Sequence, residues 1–216
     1  MREILFWGAT GQAKILQEAI RGTDLKLVAL VDNNSDRPTS MLDVQVLHGE
    51  AGLDGWLKQR KSSLGLYYAV AVGGDRGRER ILLMDVLLAR GLRPLTIVHR
   101  TAFVANNASI GSGCQILAQA AVCADASLGR GVIVNTAASV DHDCEIGDGT
   151  HLAPGVRLAG SVNLGRRVFI GTGAVVLPRV RIGDDSIVGA GAVVLNDVPS
   201  GVTVVGNPAQ IYISRL

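Results

Sequence analysis

Two patterns divide the sequence and predict its fold class, an α/β domain over residues 1–97 followed by a parallel β-helix over 98–216. In the first part, apolar runs of strand length alternate with amphipathic stretches of helix length. In the second, every sixth residue from Val98 to Val194 is Leu, Ile or Val, seventeen positions without an insertion. With apolar residues at 48% of the chain, a chance run of that length has odds of roughly one in 10⁵, so the period belongs to the fold.

The first unbroken apolar run, Ile4-Leu5-Phe6-Trp7, reads as a strand over Glu3–Trp7 buried on both faces, as in a parallel sheet. It leads into Gly8-Ala9-Thr10-Gly11-Gln12-Ala13 and a helix to about Arg21. A second strand, Leu25–Val31, ends at Asp32-Asn33-Asn34. Val44–Leu47 is a candidate short strand and Leu53–Lys61 a helix. Tyr67–Val72 is a third long strand, ending at Gly73-Gly74-Asp75. Arg76–Arg90 is an amphipathic helix stopped by Gly91 and Pro94. Strands alternating with helices read as βαβ units and a Rossmann-like parallel sheet. The Gly8/Gly11 loop is a phosphate-binding candidate, because amides at a helix start favour anions and glycine lets a pyrophosphate approach. Asp32 lies 24 positions after Gly8, where a carboxylate reaches a ribose or base. The glycine spacing falls short of G-x-G-x-x-G, which argues against NAD. A tight turn with no ligand is the bland alternative to a nucleotide-linked substrate.

A six-residue period is neither helical nor simple strand alternation. It describes a short strand plus a bend, one aliphatic anchor pointing inward per face. Three faces close a prism, so a coil takes 18 residues, and coils stack at roughly 4.8 Å per layer. The residue four places after each anchor is small or β-branched, as at Ala108, Cys114, Ala120, Ala126, Val132, Ala138 and Cys144. One place after it glycine is favoured, as at Gly111, Gly129, Gly147, Gly165, Gly171, Gly183 and Gly189, and a bend with positive φ is the expected reason.

Composition narrows the function. Aromatic residues are only 4% of the chain, which suits a solenoid packed with aliphatics. A formal net charge of +2 argues against a dedicated nucleic-acid surface. No apolar run reaches the length of a transmembrane helix, and the first residues form a strand rather than a signal peptide, so a cytoplasmic protein is expected. Cys114 and Cys144 fall on the small inward position and Cys123 on the second position, with no CxxC pairing. They read as core fillers in a reducing compartment, and no metal is expected.

Polar residues interrupt the coil at Asn135-Thr136, Asp141-His142-Asp143 and His151. His142 and Gly160 are 18 residues apart and so share a corner on adjacent coils. That brings a side chain able to take a proton beside a backbone amide with no Cβ over it, a general base and an oxyanion donor for acyl transfer. Either Asp143 or Asp141 is placed to orient the imidazole. The bland reading is a solvated corner histidine.

The pattern [LIV]-[GAED]-x-x-[STAV]-x resembles the hexapeptide-repeat acyltransferases, whose β-helix is left-handed. V-N-T-A-A-S-V-D-H-D-C-E-I-G-D at 134–148 and H-L-A-P-G at 151–155, behind a short α/β domain, are similar to one subfamily. It holds the sialic-acid O-acetyltransferases and the bacterial N-acetyltransferases of nucleotide-linked amino sugars. The resemblance implies His142 as general base, Asp143 as its orienting acid and Gly160 facing the thioester oxygen. It implies sugar contact at Asn135, with Thr136 beside it, and a nucleotide held by Gly8, Thr10, Gly11, Gln12, Asp32, Asn33 and Gly73. His151, Gly160, Gly173, Gly191, Asn207 and Pro208 are implied for the acetyl-CoA site, the last two within the closing Gly206-Asn207-Pro208-Ala209. Many relatives carry His where this chain has Gln12, which donates a hydrogen bond but holds no charge. The family also implies a homotrimer with acetyl-CoA between neighbouring subunits. Acetylation of a sugar hydroxyl needs the same base and is the alternative chemistry; a non-enzymatic scaffold predicts no role for Asn135, His142 and Asp143.

Overall fold

The computed structural model describes residues 1–34, 44–60 and 65–213. Its first part is a five-stranded parallel sheet built from β1 (Arg2–Trp7), β2 (Leu25–Asp32), β3 (Val46–His48), β4 (Tyr67–Val70) and β5 (Arg93–Pro94), in the order β3-β2-β1-β4-β5. Three helices cover it: α1 (Gly11–Ala19), α2 (Gly49–Gln59) and α3 (Gly77–Ala89). α1 packs on one face through Ala13 and Leu16, against Ile4, Phe6 and Leu30. α2 and α3 pack on the other through Leu53, Met84 and Leu87, against Leu5, Val31 and Tyr68. The expected elements are present with small shifts of boundary; Lys61, the expected end of the second helix, lies outside the described residues. Pro94, read as a helix stop, also sits in β5 at the sheet edge, where a missing N–H costs no ladder bond.

From Ile97 onward the chain is a parallel β-helix. Two-residue strands stack into three faces whose partners are always 18 residues apart, as Ile133 with His151, Ser139 with Arg157 and Glu145 with Asn163. The first face begins at Ile97–Val98 and includes Gln115, Ile133, His151 and Phe169; the second carries Phe103 to Val194, the third Ser109 to Ile182. Anchors such as Ile116, Val134, Leu152 and Val176 are fully buried, and so are the fillers Ala126, Cys144 and Ala174.

The glycine reasoning needs one correction. Positive φ occurs three places after the anchor, at Gly113, Gly131, Gly149 and Gly173 and also at Ala137, Asp143 and Arg179. The glycines one place after the anchor serve stacking instead. A Cβ on Gly111 would lie 2.4 Å from the Gly129 carbonyl oxygen, and one on Gly171 2.5 Å from the Ala190 nitrogen.

No flexible connection separates the two parts. Ile97, Leu117 and Ile133 of the first face share a buried cluster with Ile4, Phe6, Ala13 and Leu16. α3 approaches the corner between the third and first faces so closely that a Cβ on Gly77 would stand 2.4 Å from the Gly149 carbonyl oxygen.

Candidate active site

The candidate residues fall into three places. The first is a cavity of about 230 Å³ at the carboxyl ends of β1, β2 and β4, lined by Gly8, Thr10, Asp32, Asn33, Ala71, Val72, Arg76 and Glu79. The strand order reverses between β1 and β4, and open α/β sheets bind ligands in that crevice. Gly8 is required: its φ is +109°, and a Cβ would lie 2.4 Å from the Ala71 carbonyl oxygen. Asp32 shapes the loop, Oδ2 accepting from the Ala9 amide at 2.9 Å and Oδ1 from the Asn34 amide at 2.9 Å. Thr10 makes no side-chain cap on α1, which leaves the helix start open toward the cavity. Arg76 and Glu79, missed from sequence, line the same space. Gly11 and Gln12 do not line this cavity, and Gln12 turns away from it. Its amide donates to Gln115 Oε1 at 2.6 Å, and Gln115 donates to the Val70 carbonyl at 2.8 Å.

The second place is the corner between the first and second faces. Asn135 and His151 are each 5% exposed. Asn135 Nδ2 donates to His151 Nε2 at 3.1 Å, and His151 Nδ1–H donates to the Gly74 carbonyl at 3.1 Å. Asn135 Oδ1 accepts the Thr136 amide at 2.8 Å. The imidazole packs edge-on to Phe169 at 5.5 Å. Burial, then the positive charge of Arg80, pushes its pKa down to about 4, so His151 is neutral. Gly73 lies against both Gln12 and His151. His151 is therefore a buried brace with both ring nitrogens engaged. Gly173 and Gly191 continue along this same corner on later coils, each with positive φ and open space where a Cβ would be. Asn207 and Pro208 follow, in a segment pinned to Val193 by bonds to Gly206 and Ala209.

The third place is the corner between the second and third faces. There His142 lies over Gly160, as the coil arithmetic requires: a Cβ on Gly160 would be 2.5 Å from both Cε1 and Nε2 of the imidazole. Of the two candidate acids, Asp143 orients the ring, its Oδ2 accepting from Nδ1 at 2.7 Å. Its φ of 57° swings the carboxylate back beside the preceding residue. Asp141 instead accepts the His142 backbone amide at 2.7 Å. The Asp143 hydrogen bond holds the His142 pKa above its ordinary value, partial desolvation opposing it. Nδ1–H directed to Asp143 leaves Nε2 as the free acceptor.

At this repeat position some amides are taken by side-chain oxygens, Arg130 by Asp148, Thr136 by Asn135 and Arg166 by Asp184. Others, Ala124, Thr172 and Ala190 among the described residues, are bare, and Gly160 is the bare one that lies under the His142 ring. Among the described residues the Gly160 N–H has no acceptor. One coil further the position is Pro178, which has no N–H. An imidazole with a free Nε2, an orienting carboxylate and a bare amide are the parts of an acyl-transfer centre. Among the described residues no group of three or more His, Cys, Asp or Glu is arranged to hold a metal, and no helix is long and apolar enough to cross a membrane.

Fold and corner together define a transferase of the hexapeptide-repeat class. A family model described as bacterial transferase hexapeptide (six repeats) matches residues 161–196. PerB from Caulobacter crescentus, solved in complex with CoA and GDP-perosamine, matches with a TM-score of 0.88 at 36% identity, covering 97% of this chain and 97% of that one. The acetyltransferase domain of PglB from Neisseria gonorrhoeae gives 0.84 at 32% identity, covering 98% of this chain and 100% of that one. WeeI from Acinetobacter baumannii gives 0.85 at 29%, covering 97% and 99%. No curated protein sequence matches the chain. Identity above 30% over nearly the whole length shows that the chain belongs to the hexapeptide-repeat sugar acetyltransferases.

Proposed function

We propose that the protein transfers acetyl from acetyl-CoA to the amine of a nucleotide-linked amino sugar. The observation that carries this reading is the His142–Asp143 pair over the open Gly160 amide. The amine attacks the thioester carbonyl, and His142 Nε2 takes the amine proton. The Gly160 N–H donates to the carbonyl oxygen as it gains charge. On collapse the C–S bond breaks, the proton passes from Nε2 to the leaving sulfur, and the products are an amide and CoA. Asp143 keeps Nδ1 protonated throughout and stabilises the imidazolium between the two transfers. The cavity at the ends of β1, β2 and β4 fits the nucleotide, in keeping with a Rossmann-like reading of the sheet. Asn135 and Thr136 are then placed for the sugar. The amine is the acceptor favoured here, because perosamine N-acetyltransferase is itself among the matched structures at 35% identity.

The second face separates the sugar-side corner from the His142 corner. About six residues of extended chain, at roughly 3.3 Å each, put them some 15–20 Å apart within one chain. The site therefore needs two copies, the first-to-second-face corner of one meeting His142, Asp143 and Gly160 of the next. This supports a homotrimer of left-handed coils with acetyl-CoA lying between neighbours, along Gly160 on one side and Gly173, Gly191, Asn207 and Pro208 on the other. It would work in the cytoplasm, where both activated substrates occur.

The test is the rate of CoA release with GDP-perosamine as acceptor. His142→Ala is expected to lower kcat by about 10²–10⁴ with acetyl-CoA binding retained. A variant keeping more than half of the wild-type rate removes His142 from the reaction.

A further inference from the structure

Beyond its strand, β4 continues as an extended segment crossing the first face of the coil. Three of its alternate carbonyls are taken by side chains. Gln115 Nε2 donates to Val70 O at 2.8 Å, Arg80 Nη1 to Val72 O at 2.8 Å, and His151 Nδ1 to Gly74 O at 3.1 Å. Gln115 and His151 project from the coil, Arg80 from α3. Ala71 and Val72 of the same segment line the nucleotide cavity. A few residues thus carry the cavity wall and are fastened to the coil beside Asn135.

Arg80 is the unusual member. It is 0% exposed on a helix whose other buried positions are Gly77, Leu83, Met84 and Leu87. Among the described residues it has no carboxylate partner. Its guanidinium donates to three carbonyls from three separate segments: Val72 at 2.8 Å, Gly131 at 2.8 Å, and Gly149. Gly131 and Gly149 are equivalent positions on successive coils. A buried charge is costly to hold. Binding α3 to the coil alone requires only the two coil carbonyls. The third bond fixes the residue directly before Gly73, so the fork locates the loop as well as the helix.

We propose that Arg80 is a positioning residue for the acceptor sugar, holding the Gly73–Gly74 loop so that His151 keeps Asn135 in the orientation in which it meets the sugar. Asn135 donates to His151 only while His151 Nε2 is an acceptor, and that tautomer is set by the Nδ1–H bond to Gly74. Loss of the loop position frees His151 to change tautomer. Nε2 then carries a proton, the Asn135 amide must turn, and the oxygen that caps the Thr136 amide is lost. The inference rests on the acceptor reading above, with Asn135 at the sugar.

Arg80→Lys, which keeps the charge without the fork, and Arg80→Gln in the full chain test it. The readouts are KM for GDP-perosamine, KM for acetyl-CoA, and the imidazole ¹⁵N shifts of His151 at fixed pH. KM for GDP-perosamine is expected to rise tenfold or more with KM for acetyl-CoA within twofold, and His151 to lose its Nδ1–H signature. Folded variants with unchanged KM for GDP-perosamine, with both KM values raised alike, or with wild-type His151 shifts overturn the proposal. If neither variant folds, His151→Phe loosens the same loop from the coil side while keeping a ring against Phe169. It is expected to show the same split in KM, and an unchanged KM for GDP-perosamine, or both KM values raised alike, overturns the assignment. A wild-type protein that acetylates no nucleotide-linked amino sugar defeats the functional reading instead; the His151 shifts in Arg80→Lys then decide Arg80 alone.

Discussion

The imidazoles of His142 and His151 sit in opposite environments. His142 is 58% exposed and its pKa is raised by Asp143; His151 is buried and pushed down to about 4. As the proposed general base His142 works in its neutral form, so the rate is expected to rise as pH climbs through its raised pKa. Asp143→Asn removes the leading cause of that rise. Its pH–rate profile for kcat/KM is expected to move its rising limb down, toward the ordinary histidine value near 6.5. The plateau should fall by about tenfold or more as orientation is lost. A limb that stays in place or moves upward contradicts the assignment of Asp143. The sequence made His142, Asp143 and Gly160 legible because they obey an 18-residue lap. It left open which aspartate faces the ring, since that is settled by the left-handed backbone at Asp143. What His151 touches was not legible, because its neighbours Gly74 and Arg80 belong to the other part of the chain.

At the scale of the element, the coil corner works through which amides are capped and which are bare. Gly160→Ala is the informative substitution. Its Cβ would stand 2.5 Å from His142 Nε2, so the ring must swing aside, while Gly160 has no positive φ to strain. A displacement of about 1 Å at a reacting group costs on the order of 10² in rate. Steady-state kinetics should show a kcat loss of that order, with KM for acetyl-CoA and the melting temperature near wild type. The repeat itself was readable from the six-residue spacing alone, but the meaning of its glycines was not. Contacts one place after the anchor are made to the next coil, and no local pattern reveals them. α3 held a signal that went unused: Arg80 falls in register with Leu83, Met84 and Leu87, a charge inside an apolar stripe.

For the whole molecule, the proposed reading sets the Asn135 corner apart from the His142 corner, and an oligomer is then expected to be part of the chemistry. Mixing denatured Asp32→Ala and His142→Ala chains and refolding them together tests this. Each variant alone lacks one half of every site. If the halves come from neighbouring chains, an equal mixture recovers about one quarter of the wild-type rate, because each site draws its two chains independently. No recovery places both halves in one chain. The strand–helix alternation and the repeat disclosed both parts of the molecule, but not how they meet: Gln115 and Leu117 look unremarkable in sequence, and Gln12 stood out only as a replaced histidine.

That meeting has a further consequence. Phe6 and Leu16 share one apolar cluster with Leu117 and Ile133, so the α/β head has no hinge on which to swing. A borrowed head would arrive without the matching apolar underside and leave two aliphatic side chains wet. A change in what such a site accepts then falls to lining residues outside that cluster, such as Arg76 and Glu79.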